Sequence, residues 1–209
     1  MGSRSRFALL VVAAVIVVMA FAVPALAASN VVKGDTQLLA PNNMVTELQS
    51  KHVTLNAVKP ITFEAQWASK ALRWWYDAPM AMKSGAKYTT YNTKTGQGVF
   101  YHSGQLLWVE ASVKPHKSLK WQGLRVVALS KTSYQLVATV GNAAPYVSNV
   151  VVAQSTHATK ITHSGKRYHV DGVQFRLTTT AATQLHTALG ETVSQTLMLF
   201  DGDLYFTMK

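Results

Sequence analysis

The sequence predicts an α+β protein that is mainly β: a small antiparallel barrel or sandwich with one or two short helices, following an N-terminal signal segment. Three observations support this class. Threonine, valine and tyrosine are abundant from Tyr88 onwards, and such residues favour strands. Turn signals built on glycine recur between short apolar runs, as expected for a small barrel or sandwich. Helical spacing is confined to two short segments.

The first 28 residues have the three-part layout of a secretory signal. Two arginines precede an apolar run from Phe7 to Val23, and Pro24 is followed by Ala-Leu-Ala, the small-residue pattern that a signal peptidase reads. We therefore predict a signal peptide over residues 1–27. The alternative is an uncleaved anchor, because Phe7–Ala28 is long enough to span a bilayer. In both cases the rest of the chain is expected outside the cytoplasm, secreted or at the cell surface.

Composition limits the classes of protein and partner. The chain contains no cysteine, which excludes disulfides, thiolate metal sites and cysteine nucleophiles and favours a bacterial source. Without the two leader arginines, the 20 basic residues become 18 against nine acidic ones, a formal charge of +9. Such an excess attracts polyanions, which outside a cell are teichoic acids, anionic polysaccharides and lipid headgroups. The alternative is that the charge serves solubility alone.

The domain organisation predicted from the sequence is simple. Residues 28–50 are polar and contain a Pro-Asn-Asn turn, which predicts a linker. One mainly β exported domain is predicted over residues 51–209, with two subdomains meeting near residues 141–150 as an alternative. Within this domain, apolar and polar residues alternate from Val53 to Ala57, which predicts a strand.

Residues 62–76 fit two patterns. Apolar residues alternate at the start of the segment, as in a strand, yet alanine, leucine and tryptophan recur further on at helical spacing. Thr62 is a suitable helix cap, and Pro79 follows as a stop signal. We predict a helix here.

A second helix and a hairpin are predicted near the C-terminus. Thr180 is the expected cap of a helix over residues 181–189, and Gly190 stands where the helix should end. The triplet Asp201-Gly202-Asp203 lies between two apolar runs, which is a strong hairpin signal.

One block of the sequence resembles a known family. The segments that carry the resemblance are Tyr88-Thr-Thr-Tyr-Asn-Thr-Lys-Thr-Gly96, Gly104-Gln-Leu-Leu-Trp-Val109, Lys120-Trp-Gln-Gly-Leu-Arg-Val126 and Tyr134-Gln-Leu-Val137, with a weaker echo at Gly165-Lys-Arg-Tyr-His169. Residues 87–140 resemble bacterial Src-homology-3-like cell-wall modules, including surface-layer-associated repeats. The resemblance implies a small β-barrel and a role in cell-wall binding, and it covers roughly a quarter of the chain.

Two groups of basic and aromatic side chains are candidate ligand contacts. On a helix, Trp75 would point into the core, whereas Trp74 would lie about 100° further round and be exposed. The segment Lys114–Lys117 is the densest basic run and is expected to form an exposed loop that could bind a phosphate-rich polymer. The alternatives are core packing for the tryptophans and a solvated turn for the loop. The predicted ligand-binding residues are Trp74, Arg73, Lys114, His116, Lys117, Lys120 and Trp121.

No metal, cofactor or catalytic residue is predicted. His157, His163 and His169 recur every six residues, and six strand residues span about 20 Å, too far for one metal ion. A hairpin at Ser164-Gly165 would bring two of these histidines nearer one another. The Gly-x-Ser-x-Gly and His-Glu-x-x-His motifs are absent, and nothing pairs two carboxylates for glycoside chemistry.

Together these observations predict an exported, non-catalytic binding protein that associates with the cell surface through anionic wall polymer or polysaccharide. Basic residues would supply the affinity and aromatic residues the orientation. Two alternatives remain: a secreted hydrolase acting on cell wall or polysaccharide, and a structural surface protein with no ligand. Nucleic acid is not an expected partner, and the membrane is one only through an uncleaved N-terminal segment.

Overall fold

The computed structural model describes residues 29–68, 71–84, 87–143, 145–155, 157 and 160–209. The predicted signal peptide lies outside the described residues. The strands are β1 (Ser29–Ala40), β2 (Val53–Val58), β3 (Thr62–Ala68), β4 (Ala71–Ala81), β5 (Lys83–Ser84), β6 (Lys87–Tyr88), β7 (Thr90–Tyr91), β8 (Gly98–His102), β9 (Gln105–Glu110), β10 (Lys117–Ala128), β11 (Tyr134–Val140), β12 (Val147–Ser155), β13 (Lys160–Ser164), β14 (Arg167–Leu177) and β15 (Met198–Met208), and the helices are α1 (Asn42–Ser50) and α2 (Thr179–Leu189). None of the helices in the described ranges is both long and apolar enough to cross a membrane.

Eight strands close into an antiparallel barrel. Pairing runs from β10 through β11, β12, β14, β15, β1, β4 and β8 and returns to β10. Within the described residues, five further strands extend this ring: β9 and β2 continue from β10, β3 pairs with β4, β13 pairs with β14, and β7 pairs with both β1 and β8. Strands β5 and β6 form a separate two-stranded sheet. The predicted fold class, mainly β with a small antiparallel barrel or sandwich and one or two short helices, is confirmed, and the structure has the barrel form.

The core fills the barrel with side chains from alternate positions of each strand. Tyr76 packs edge-on against Phe200 with ring centroids 5.7 Å apart, and Trp108 packs against Trp121 at 5.0 Å; these four rings are fully buried. Burying each such side chain contributes about 1.5–3 kcal/mol. Since the chain has no disulfides, this apolar packing is the main source of its stability.

The helix predicted at residues 181–189 is present as α2, and its cap lies two residues earlier than expected. The hydroxyl of Thr178, not Thr180, accepts a hydrogen bond from the Ala181 N–H, as N-cap residues do. At the other end Gly190 has the left-handed φ of 83° that a helix stop requires.

The helix predicted over residues 62–76 is wrong. This segment forms strands β3 and β4, which pair with each other in register from Thr62 opposite Asp77 to Ala68 opposite Ala71. Side chains in β4 alternate with period 2. Trp74 and Tyr76 are therefore buried, while Trp75 between them and Asp77 after them face outwards. The helical spacing of the apolar residues was outweighed by cross-strand pairing, which only the tertiary structure supplies.

Residues 29–50 form ordered elements where the sequence predicts a linker. Strand β1 pairs with both β15 and β4 and so completes the barrel, and α1 buries Met44, Val45 and Leu48. The alternative subdomain boundary near residues 141–150 falls between β11 and β12, two strands that pair in the same sheet.

The hairpin predicted at Asp201-Gly202-Asp203 is also wrong, because all three residues lie within the continuous strand β15. Gly202 is opposite Val173 on β14 and opposite Leu38 on β1. A Cβ atom there would lie 2.9 Å from the ring of Phe175. The glycine therefore serves close packing of the barrel interior and not a turn.

Candidate functional site: a ring groove beside an acidic sheet face

The outer face of the barrel over β14, β15, β1, β4 and β3 collects carboxylates. Cross-strand rows place Asp203 beside Gln37 and then Asp77, and Asp201 beside Leu39 and then Trp75. We call this region the acidic face, and its carboxylates belong to Asp35, Glu64, Asp77, Asp171, Asp201 and Asp203. These are six of the nine acidic residues in the chain. A protein of excess positive charge thus keeps most of its negative charge on one surface.

Partial burial and mutual repulsion act on these carboxylates. Burial raises the pKa of Asp35 and Asp77, and the neighbouring Asp77 adds to the rise at Asp35. Burial likewise raises the pKa of Asp201 and Asp203, to which the charges of nearby carboxylates contribute further. A raised pKa means that the ionised form is unfavourable in the folded state, so this face is able to accept positive charge from a ligand.

Next to the acidic face lies a groove of about 710 Å³, which we call the ring groove. It is formed where the β13–β14 hairpin meets β15 and β1. Its lining residues are Lys33, Gly34, Asp35, Thr162, His163, Ser164, Arg167, Tyr168, His169, Tyr205, Phe206 and Thr207. Five of these twelve residues carry rings, two carry permanent positive charge, and Asp35 carries a carboxyl group.

The rings of the groove form two stacks. In the first, His163 stacks on Tyr168 with centroids 5.3 Å apart, and Tyr168 stacks on Phe206 at 5.5 Å. In the second, His169 stacks on Tyr205 at 4.2 Å with an angle of 13° between the planes. Phe206 is buried whereas His163 is exposed, so the first stack runs from the core to the solvent. Stacking holds these rings in fixed orientations, which favours a ligand with flat faces of its own.

The register of the β13–β14 hairpin determines which histidines meet. The turn is formed by Gly165 and Lys166, one residue later than the predicted Ser164-Gly165, because Ser164 pairs with Arg167. His163 lies opposite Tyr168, whereas His169 lies opposite Thr162. Because successive side chains of a strand point to opposite faces, the two histidines do not converge. Lys33 and Arg167 are exposed at the groove, and there they would meet the anionic groups of a ligand.

The predicted ligand-binding residues lie elsewhere. Trp74 is 6% exposed and Trp121 is fully buried, so neither presents a ring face to solvent. The exposure expected for Trp74 is wrong because a strand turns alternate residues inwards, and it is Trp75 that is partly exposed.

The basic members of the predicted set are accessible but do not line the ring groove. Arg73 is half-buried on β4. Lys114, His116 and Lys117 are exposed, as expected for a loop leading into β10, and Lys120 is half-buried. Lys117 lies beside Gly190, where an added Cβ would be 3.1 Å from the lysine Nζ. This basic loop remains a predicted binding surface, separate from the ring groove.

Sequence reasoning missed Tyr168, Tyr205, Arg167 and Lys33. The segment Gly165–His169 is predicted from the sequence as a weak echo of a cell-wall repeat and as part of a hairpin, not as a binding surface. A signal was present: in β14 and β15 aromatic and charged residues alternate with buried apolar ones, which predicts half-buried strands whose other face is open to solvent.

Comparison with known proteins gives structural neighbours only. No protein-family model matches the chain, and no curated protein matches it in sequence. The crystal structure of the C-terminal domain of HtaA from Corynebacterium glutamicum is similar, with 11% identity, a TM-score of 0.48 and coverage of 85% of this chain and 100% of that domain. A histidine-to-alanine variant of the same domain, crystallised as a domain-swapped dimer, is similar with 10% identity, a TM-score of 0.44 and coverage of 77% and 88%.

Both TM-scores are below 0.5, so the function of this chain is argued from its own geometry and not from these neighbours. These neighbours give no support to the Src-homology-3-like resemblance of residues 87–140.

Proposed function

We propose that this chain is an exported, non-catalytic binding protein that takes an anionic, ring-bearing polymer into the ring groove. The ligand class is the one expected from the sequence, an anionic wall polymer or polysaccharide. The proposal moves the contact surface from the basic loop at Lys114–Lys117 to the β13–β14 hairpin. The observation that carries it is the groove itself, where stacked rings and two exposed cations line one concavity of about 710 Å³.

The chemistry of the lining fits such a ligand in two ways. The outer face of His163, at the exposed end of the first stack, offers flat, partly apolar area for a sugar ring. Lys33 on β1 and Arg167 on β14 both lie opposite Thr207 of β15, and the guanidinium of Arg167 can bind a phosphate or carboxylate with two hydrogen bonds. Lys166 is exposed at the adjoining turn and extends the positive edge.

The proposed function is tested by binding of the purified protein to purified cell wall and to teichoic acid at graded salt. Because surface charges are screened within about 10 Å at 0.1 M salt, we expect binding to weaken steeply between 0.05 and 0.5 M salt. Binding unchanged over that range would contradict the electrostatic part of the proposal. Degradation of the polymer during the assay would favour the hydrolase alternative.

Two charge-matched double variants locate the surface. Lys33→Gln with Arg167→Gln removes two positive charges from the ring groove, and Lys114→Gln with Lys117→Gln removes two from the basic loop. We expect the groove variant to lower the affinity at least about tenfold, since an exposed charge-assisted contact contributes on the order of 1 kcal/mol. The loop variant should change it about twofold. The reverse order would return the binding surface to the loop.

A further inference from the structure

Three potential metal ligands converge at the border between the ring groove and the acidic face. His169 and Asp171 lie on β14, and Asp203 lies on β15. One ligand atom from each residue lies within 4.8 Å of the other two. The histidine Nε2 is 3.9 Å from Asp203 Oδ1, which is too long for a hydrogen bond.

A bulge in β14 produces this convergence. The register between β14 and β15 shifts between Val170 and Val173, so that Asp171 and Gly172 together face the position of Asp203. The Gly172 N–H donates to Asp203 Oδ1 at 3.0 Å, and this bond holds the carboxylate in place. Bulges commonly re-aim a side chain at functional sites, and here the bulge turns Asp171 towards the other two ligands.

The histidine supplies an independent observation. Its Nε2 atom is shielded from solvent and has no hydrogen-bond partner in the described part of the chain, although the side chain as a whole is about one-third exposed. A shielded polar atom without a partner is costly. The stack on Tyr205, at 4.2 Å, keeps the imidazole plane fixed with this nitrogen directed at the carboxylates. The missing partner is therefore one that binds a nitrogen and two carboxylates together.

The ligand set indicates the class of metal. Imidazole nitrogen suits zinc and neighbouring transition-metal ions, whereas calcium and magnesium prefer oxygen alone. A tetrahedral site with bonds of about 2.0–2.2 Å places its ligand atoms about 3.4 Å apart. The present separations are 3.9 Å between His169 Nε2 and Asp203 Oδ1 and at most 4.8 Å within the cluster, so side-chain rotations must bring the ligand atoms closer when metal binds. Three protein ligands leave one position for water or a ligand group.

We propose that His169, Asp171 and Asp203 form a binding site for a divalent transition-metal ion of the zinc type. The site goes beyond the proposed polymer binding and does not depend on it. Metal would neutralise the crowded carboxylates around Asp203. The competing cation nearby is Lys160, which lies opposite Asp171 on β13.

The test is isothermal titration of the full purified protein with ZnCl₂ at pH 7, with CaCl₂ as comparison. We expect one zinc ion per chain and weaker or undetectable binding of calcium. His169→Gln and Asp203→Asn should each weaken zinc binding at least about tenfold, because each removes one of three ligands. Asp77→Asn is the matched control: it removes the same charge from the acidic face outside the cluster, and its zinc affinity should match that of the wild type.

Several results would overturn this site. No zinc binding by the wild type at 1 mM excludes it, and an equal loss in Asp77→Asn would show diffuse charge attraction. Undiminished binding in both cluster variants would place the metal elsewhere. If either variant unfolds, Asp171→Asn replaces it in the test. Asp171 is exposed, so this substitution should leave the fold intact, and it too should weaken zinc binding if the cluster holds the metal. Polymer binding measured without metal separates failure of this site from failure of the ring groove.

Discussion

Two histidines on opposite faces of the barrel wall differ in whether their ring nitrogens are already hydrogen-bonded within the fold or are available to bind a ligand. His102 on β8 is buried inside, and both of its nitrogens have partners: Nδ1 lies 3.1 Å from the Ala78 carbonyl oxygen and Nε2 lies 3.4 Å from the Thr36 hydroxyl. His169 is on the outer face, and its Nε2 has no hydrogen-bond partner in the described part of the chain. Satisfied polar groups stabilise the fold, whereas an unsatisfied one facing carboxylates is open to a ligand.

The same contrast applies to the strands that carry these residues. Inward side chains of β1, β4, β14 and β15 form the core, and outward ones carry the acidic face and part of the ring groove. Changes inside should therefore alter the free energy of unfolding, and changes outside should alter binding. The following experiments test that division, from the largest expected effect to the smallest.

The largest effect is expected from the contrast between a buried and a partly exposed position of β15. Leu204 is fully buried, and Leu204→Ala should lower the free energy of unfolding by about 2–5 kcal/mol through lost burial and a cavity. Asp201 is partly exposed, and Asp201→Asn should change the free energy of unfolding by less than about 0.5 kcal/mol. Urea unfolding at pH 7 measures both. Equal losses would show that the outer face is as important to folding as the core.

The second effect is acid destabilisation through His102. Burial lowers the pKa of this histidine from 6.5 to about 4, because a charged imidazole would be desolvated inside the barrel. Between these values the unfolded state binds the proton and the folded state does not, so the stabilising contribution is complete above pH 6.5 and lost as the pH falls to 4. We expect a loss of about 3 kcal/mol over that window, at about 1.4 kcal/mol per pKa unit.

The control for this effect is His102→Gln, which cannot titrate. Its free energy of unfolding should fall much less between pH 7 and pH 4, when both proteins are measured by urea unfolding at each pH. Parallel curves for the two proteins would assign the acid sensitivity to other groups.

The third effect concerns close packing where β1 crosses the barrel. A Cβ atom on Gly34 would lie 2.5 Å from the backbone oxygen of Tyr205 and 2.6 Å from the sulfur of Met80. Gly34→Ala should therefore destabilise the protein by about 1–3 kcal/mol through overpacking. Gly165→Asn is the comparison, because space is open there and asparagine tolerates the positive φ. Thermal melting should show a shift for the first variant and almost none for the second.

The smallest change in the free energy of unfolding is expected on the acidic face, where the substitution should stabilise the protein instead of destabilising it. Burial and the charge of Asp77 raise the pKa of Asp35. Its carboxyl group therefore favours the folded state when it is protonated, below the ordinary pKa of 3.8, and this contribution to stability is lost as the pH rises through the raised pKa of the folded state. Asp35→Asn should therefore raise the free energy of unfolding at pH 7, by less than about 0.5 kcal/mol, and the gain should disappear at pH 3. A loss of stability at pH 7 would mean that Asp35 has a favourable ionic partner in the folded state.

The sequence was sufficient for the fold class and insufficient for several elements. Alternation and recurring turns predicted a mainly β barrel or sandwich, and helical spacing that ends at Gly190 located α2. The helix over residues 62–76 failed because apolar residues there satisfy both periods, and pairing with β1 decides between them. The hairpin at Gly202 failed because a glycine needed for packing against Phe175 looks the same in sequence as a glycine needed for a turn.

The candidate sites were less accessible to sequence reasoning. The ring groove joins Lys33 to Arg167 and Tyr205, which are far apart along the chain and meet only through pairing of β1 with β15 and of β15 with β14. The three possible metal ligands include Asp203, whose position opposite the bulge cannot be read from spacing. Runs of nearby residues, such as Lys114–Lys117, were visible because proximity in sequence requires no tertiary contact.

The sequence alone determined the composition-level properties of this protein: strand-forming residues in short runs, no cysteine, an excess of positive charge and a predicted leader. These follow from residue types and local order, which act without a fold. Only the tertiary structure decided that Trp74 lies inside and His169 outside, that six carboxylates share one face, and that stacked rings border a groove. Those outcomes depend on strand register, and register is set by side chains on neighbouring strands and not by the local sequence of any one strand.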